Sequence, residues 1–161
     1  MDPVIRDYRP TDREAVVALS LRAWEPVFAS TREVLGGEID TLLHGADWRA
    51  YQQRAVETAL ADDAMHVWVA AVGERVVAFM AVSLNAERSI GELWMIAVDP
   101  SAQNDGLATT LTNLATDRMR DAGMKTAMIG TGGDPGHAPA RRVYDKAGYT
   151  PLPIVNYFKA L

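Results

Sequence analysis

Val98-Asp99-Pro100-Ser101-Ala102-Gln103-Asn104-Asp105-Gly106-Leu107-Ala108 carries the end of an apolar strand through a tight turn into the start of a helix. Upstream, Ile90 to Val98 is rich in residues suited to a pleated, buried surface. Downstream, Leu107, Leu111, Leu114, Ala115, Met119 and Ala122 recur at helical spacing until Gly123 supplies a C-terminal stop. Between them Pro100 interrupts strand pairing, while Gly106 and Ala108 keep the turn small. A helix start of this kind exposes backbone N–H groups without internal acceptors and carries the positive end of the helix dipole. It can therefore hold a phosphate with no basic side chain. Taken alone, the stretch supports anion binding and nothing narrower.

The elements around it predict a mixed α+β fold. Val4 to Tyr8 reads as a first strand, and Thr11-Asp12-Arg13-Glu14 has capping-box form, with Thr11 and Glu14 able to satisfy each other's backbone donors. Val16, Leu19, Ala23 and Val27 come next at helical spacing, and Pro26 predicts a kink or an early end. Gly36-Gly37 breaks the chain, and a second helical stretch runs from Asp47 through Trp48, Tyr51, Ala55 and Leu60. His66 to Val72 and Arg75 to Leu84 form strands joined by Gly73-Glu74, which is two-residue hairpin chemistry. After the central helix come a strand from Thr126 to Gly130, a Gly/Pro loop, a helix over Ala138 to Ala147, and a last strand over Ile154 to Phe158. This order describes a mixed sheet with a helical crossover in its middle, not a regular doubly wound pattern.

Composition narrows the classes. The 161 residues, 48% of them hydrophobic, are the size of one ordinary domain, and a single domain over 1–161 is expected. No apolar run is long enough to cross a bilayer, and the first ten residues carry charges where a signal peptide needs an apolar stretch, so a cytoplasmic protein is expected. The absence of cysteine excludes disulfides, thiolate metal sites and a cysteine-linked acyl intermediate. A net charge of −5 argues against nucleic acid as a partner, even with the local pair Arg141-Arg142. His44, His66 and His137 are dispersed and lack metal-ligand spacing, so no metal is expected. Gly130 to Gly136 is not a dinucleotide loop, because Pro135 occupies the third-glycine position.

A second motif, Ala140-Arg141-Arg142-Val143-Tyr144-Asp145-Lys146-Ala147-Gly148-Tyr149, lies downstream of the first. Gln103-x-x-Gly106-x-Ala108 after Val98-Asp99-Pro100 resembles the acetyl-CoA loop of the GNAT superfamily of N-acetyltransferases. The later stretch is similar to that superfamily's Ala-x-x-Leu-Tyr-x-Lys-x-Gly-Phe segment. The resemblance implies a GNAT-like central, mostly antiparallel sheet flanked by helices, with a splayed strand pair at the cofactor site. It places acetyl-CoA on Ile96, Ala97 and Val98 of the strand, on Gln103, Asn104, Asp105, Gly106, Leu107, Ala108 and Thr109 of the loop, and on His137, Ala140 and Tyr144 beyond. The chain departs from the pattern with Asn104 where a small residue such as Gly is frequent, and with His137 where an Asn commonly precedes the Ala.

Transfer to an amine expels the CoA thiolate, which needs a proton, and the resemblance gives Tyr144 that role. A protonated amine cannot attack, and Glu92, near the start of its strand, is the candidate base, with Glu87 close by. Lacking cysteine, the chain is expected to transfer acetyl directly within a ternary complex. The acceptor is a small-molecule or peptide amine, Trp24, Phe28, Trp48 and Tyr51 are candidates for its pocket or for core, and a homodimer is implied by the resemblance alone. A catalytically inactive acyl-CoA-binding sensor would carry the same motifs.

Overall fold

A computed structural model describes residues 1–161. Five strands form one sheet in the order β1-β2-β3-β4-β5, with β1 Val4–Asp7, β2 His66–Val72, β3 Arg75–Asn85, β4 Ile90–Val98 and β5 Thr126–Met128. All neighbours are antiparallel except β4 and β5, which run parallel. The helices are α1 Arg13–Leu35, α2 Gly37–His44, α3 Trp48–Ala61, α4 Leu107–Asp121 and α5 Ala138–Lys146. α4 is the crossover that parallel neighbours require.

Each face of the sheet buries its own cluster. Val16 and Leu19 of α1 and Val56 and Ala59 of α3 meet Val69, Phe79, Ala81, Met95 and Ala97 on one face. Leu107, Leu111, Ala115 and Met119 of α4 meet Ala78, Met80, Val82, Leu93 and Val98 on the other. β3 is buried on both faces, so it reads as a continuous apolar run instead of an alternation. Each fully buried side chain in this stripe of α4, such as Leu111, stabilises the fold by roughly 1.5–3 kcal/mol.

Several local expectations change. α1 starts where the sequence places it, but Thr11 and Glu14 make no reciprocal cap. Asp12 stands at the N-cap and its carboxylate takes the Arg9 N–H at 2.8 Å and the Arg6 guanidinium at 2.8 and 2.9 Å. That carboxylate, charge-assisted by Arg6, serves the 3-10 turn Pro10–Asp12 and makes no capping bond to α1. α1 also continues through Pro26 to Leu35, because Phe28, beyond the proline, is buried by packing on Trp48 of α3. The stretch after Gly36 is a separate helix, α2, and β5 stops at Met128 instead of Gly130. Between β2 and β3 the expected two-residue turn forms, with Val72 opposite Arg75 and Gly73 at φ +61°.

The last expected strand, Ile154 to Phe158, does not form. Residues 150–161 join no ladder, and Leu152, Ile154, Val155 and Tyr157 are exposed. Pro151 and Pro153 lack the N–H groups that would continue a ladder into the segment from α5.

Two irregularities of β4 shape its C-terminal half. The strand pairs with β5 only through Ile90↔Thr126, Gly91↔Ala127 and Glu92↔Met128, so Leu93 to Val98 run on with no strand on that side. At the same point the ladder to β3 slips, Ala81 facing Met95 and Val82 facing Leu93, which leaves Trp94 as a bulge residue that is 54% exposed. Gly91 allows α4 to close over the paired end, since a Cβ there would lie 2.4 Å from Met119 Cγ and 2.9 Å from its Cβ. Gly91→Val is expected to lower the unfolding free energy by about 1–3 kcal/mol in urea titration, through overpacking; a neutral result would show that Met119 moves aside.

Candidate active site

The turn between β4 and α4 is built to leave its amides free. Asp99 caps the 3-10 turn Pro100–Ala102, accepting the Ser101 N–H at 3.0 Å, and the Ala102 N–H returns to the Asp99 carbonyl at 2.8 Å. Gln103 then folds its side-chain amide back onto the Val98 carbonyl at 2.9 Å. Asn104 lies at φ +69° and Gly106 at φ +78°, both in the left-handed region. Asparagine is among the few side chains that tolerate that conformation, which explains why it can stand where a glycine is frequent. From Gln103 through Thr109 no backbone N–H has an acceptor within the protein. The Asp105 side chain makes no hydrogen bond and its residue is exposed.

Asp99 holds this turn to the rest of the molecule. It is 3% exposed and receives Arg22 of α1 at 3.0 Å, the Ser101 hydroxyl at 2.6 Å and Arg75 of β3 at 3.5 Å. Burial alone would raise its pKa, but the hydrogen bonds from Ser101 and Arg22 outweigh it and hold the carboxyl at about 2. The sequence showed Asp99 only as a letter of the turn motif. Its partner Arg22 lies far away along the chain, so no local signal could have paired them.

The opening between β4 and the chain leaving β5 is the splayed pair that the resemblance implied. Ile96, Ala97 and Val98 lie along its β4 side, and Val98 leads directly into the free amides. Ala140 and Tyr144 share a face of α5, which packs on α4, and the Tyr149 hydroxyl meets that of Thr116 of α4 at 2.6 Å. Burial pushes the Tyr144 hydroxyl up to about 12, with Tyr149 adding to the shift, and that hydroxyl has no partner within the protein. It is therefore a neutral acid throughout the physiological range.

Glu92 sits on the last paired rung, immediately before the bulge. Gly91 lies against Met119 of α4 and Leu93 is in the α4 cluster, so alternation along the strand directs Glu92 to the opposite face, the one α1 and α3 cover. It makes no ion pair. On that face Tyr51, Arg54, Thr58 and Asp62 of the α3 region and Trp94 and Met95 of β4 line a cleft of about 390 Å³. A second hollow, of about 240 Å³, lies among α1, α2 and α3 beside Glu25, Arg32, Asp40 and Trp48. The aromatic candidates divide accordingly. Phe28 stacks on Trp48 at 4.7 Å and meets Tyr51 and His44 edge-on, while Trp24 packs against the core.

His137 ends the 3-10 turn Pro135–His137 ahead of α5, and its Nδ1 is hydrogen-bonded to the Asp134 carboxylate. Arg141, the basic residue noted in the sequence, is committed to the same loop, donating to the carbonyls of Gly132 at 2.6 Å and Asp134 at 2.8 Å.

The family model described as the acetyltransferase (GNAT) family matches residues 30–149. The chain belongs to this family. A mycothiol acetyltransferase of Sanguibacter keddieii is 32% identical over 149 residues, covering 82% of this chain and 44% of that protein. The chain thus spans less than half the length of that relative. Among solved structures, the ribosomal-protein-S18-alanine N-acetyltransferase of Escherichia coli superposes with a TM-score of 0.68 at 18% identity, over 94% of this chain and 79% of that one. A PaiA N-acetyltransferase of Thermoplasma acidophilum in complex with coenzyme A gives 0.64 at 13% identity, over 91% and 89%. The mixed α+β architecture expected from the sequence is the architecture these GNAT proteins share.

The Asp99 knot gives a pH-dependent test. Its folded pKa is depressed from 3.8 to about 2, so the stability it adds is complete above the unfolded value and disappears as pH falls through the folded one. That stability is on the order of 2 kcal/mol, less whatever solvent screens at the exposed ends of Arg22 and Arg75. The difference in urea midpoint between the parent chain and Asp99→Asn should shrink between about pH 4 and pH 2. A difference unchanged over that window would mean that the carboxylate is not the stabilising group.

Proposed function

We propose that this chain transfers the acetyl group of acetyl-CoA to the amine of a small molecule, directly and within a ternary complex. The observation that carries the reading is the uninterrupted row of free N–H groups from Gln103 to Thr109 beside the opening of β4. A pyrophosphate accepts several such donors at once, and the start of α4 adds the favourable end of its dipole. The residues present fit the cofactor: Asn104 and Gly106 hold the turn, and Asp99 fixes it to the sheet. The edge of β4 from Leu93 to Val98 offers backbone groups for the amides of the pantetheine arm, and an N–H there polarises the thioester carbonyl. Ala140 leaves room beside Tyr144 on α5.

Acetyl-CoA supplies the activated acyl group; the remaining chemistry belongs to the chain. In this reading Tyr144 donates its proton to the departing sulfur, a task suited to a hydroxyl held neutral by burial. Glu92, on the α1 and α3 face, draws the cationic amine and removes its first proton, directly or through water. The acceptor enters by the cleft of Tyr51, Arg54, Asp62 and Trp94, which joins one charge of each sign to aromatic surface and has room for a small amine. The relative named a mycothiol acetyltransferase favours a small-molecule acceptor over a peptide.

The test is thiol release from acetyl-CoA over a panel of small amines. Tyr144→Phe should lower kcat by roughly 100-fold or more while the KM for acetyl-CoA stays within about threefold. Tight acetyl-CoA binding with no thiol release from any amine would overturn the reading in favour of an acyl-CoA sensor.

A further inference from the structure

The loop between β5 and α5 is constructed around one histidine. Asp134 accepts from His137 Nδ1 and, through its other oxygen, from the Ser30 hydroxyl of α1 at 2.6 Å. Ser30 in turn accepts the Gly136 N–H at 2.9 Å. Two glycines make room for this arrangement. A Cβ on Gly132 would lie 2.5 Å from His137 Nδ1, and one on Gly136 would lie 2.5 Å from Ser30 Cβ. Burial works to raise the Asp134 pKa, but the hydrogen bonds from Ser30 and His137 outweigh it and hold the carboxyl below its ordinary value.

A carboxylate on Nδ1 fixes both the orientation of the ring and its tautomer, leaving Nε2 as the proton acceptor. Nε2 makes no hydrogen bond within the protein, and the side chain is 26% exposed. The position is equally specific. The turn comes after β5 has parted from β4, it is bonded to α1, and α1 also packs on β4. His137 therefore opens the helix that bears Tyr144, in a turn that is bonded to the helix packed on the β4 face of Glu92.

Resting on the acetyl-transfer reading, we propose that His137 Nε2 takes the second proton of the amine, with Asp134 and Ser30 as positioning residues. Glu92 removes one proton from the ammonium and returns it to solvent, and the neutral nitrogen bonds to the thioester carbon. The nitrogen, now positively charged, gives a second proton to His137 Nε2. The C–S bond breaks as Tyr144 protonates the sulfur, and the His137 proton returns to Tyr144 through water. The products are an acetamide, CoA thiol and one proton in solution, so the protons balance.

His137→Asn tests this, because an asparagine N–H replaces the Nδ1 donor to Asp134 but nothing replaces Nε2. With benzylamine as the acceptor, kcat should fall roughly 100-fold while the KM for acetyl-CoA stays within about twofold, and His137→Ala should regain turnover in added imidazole. Asp134→Asn should lower kcat without imidazole rescue. An unchanged kcat in His137→Asn, or a loss confined to the acetyl-CoA KM, overturns the proposal. A second measurement needs no acceptor: at about pH 8, where imidazole is ordinarily neutral, nitrogen NMR should find His137 protonated on Nδ1 and bare on Nε2. The reverse tautomer overturns the proposal. If the parent chain itself releases no thiol with any amine, the acetyl-transfer reading fails, and the tautomer still decides whether His137 is poised as a base.

Discussion

The short parallel ladder between β4 and β5 is the constraint on which the site depends. Three residue pairs hold the strands together, and after Glu92 and Met128 they separate. A longer ladder would close the edge of β4 and consume the backbone groups that now stand open from Leu93 to Val98. A shorter one would leave β5 and α5 without a register. The bulge at Trp94 falls at the same level, so the ladder to β3 slips where the ladder to β5 ends. The pleat therefore turns over there: Gly91 and Leu93 belong to the α4 face, and so do Ile96 and Val98 after the slip.

Two aspartates, Asp99 buried and Asp134 half-buried, hold loops open on either side of that separation. Asp99 ties the turn between β4 and α4 to α1 and β3 through Arg22, Ser101 and Arg75. Asp134 ties the loop after β5 to the same helix α1 through Ser30. In each case the carboxylate takes up side-chain donors and local amides, which fixes a loop without covering the groups it presents. The amides from Gln103 to Thr109 stay free on one side, and Nε2 of His137 stays free on the other. The long α1, continuous through Pro26, is the common anchor.

Much of this was legible in the sequence because it is local. Turn chemistry at Gly73, the apolar run of β3, the periodic stripe of α4 and the strand-turn-helix at Val98 to Ala108 all arise from neighbouring residues. Other readings failed because distant groups intervened. Asp12, held by Arg6, closes the 3-10 turn ahead of α1 in place of the expected Thr11 and Glu14 box, and packing of Phe28 on Trp48 carried that helix past its proline. The segment from Ile154 to Phe158 has strand composition, but beyond Pro151 and Pro153 it joins no ladder.

The sequence by itself determined the order of elements from β1 to α5, apart from the separate helix α2, and the residues of the turn between β4 and α4, because backbone propensity and periodicity act over a few residues. It also carried the two motifs that resemble those of the family whose model matches residues 30–149. Only the tertiary structure decided where β4 and β5 part, that Asp99 is a buried knot and that His137 is held by a carboxylate. Those depend on contacts such as Arg22 with Asp99 and Ser30 with Asp134, between residues that the fold alone brings together. No periodicity along the chain encodes such pairings, because they are set by how α1 lies across the sheet.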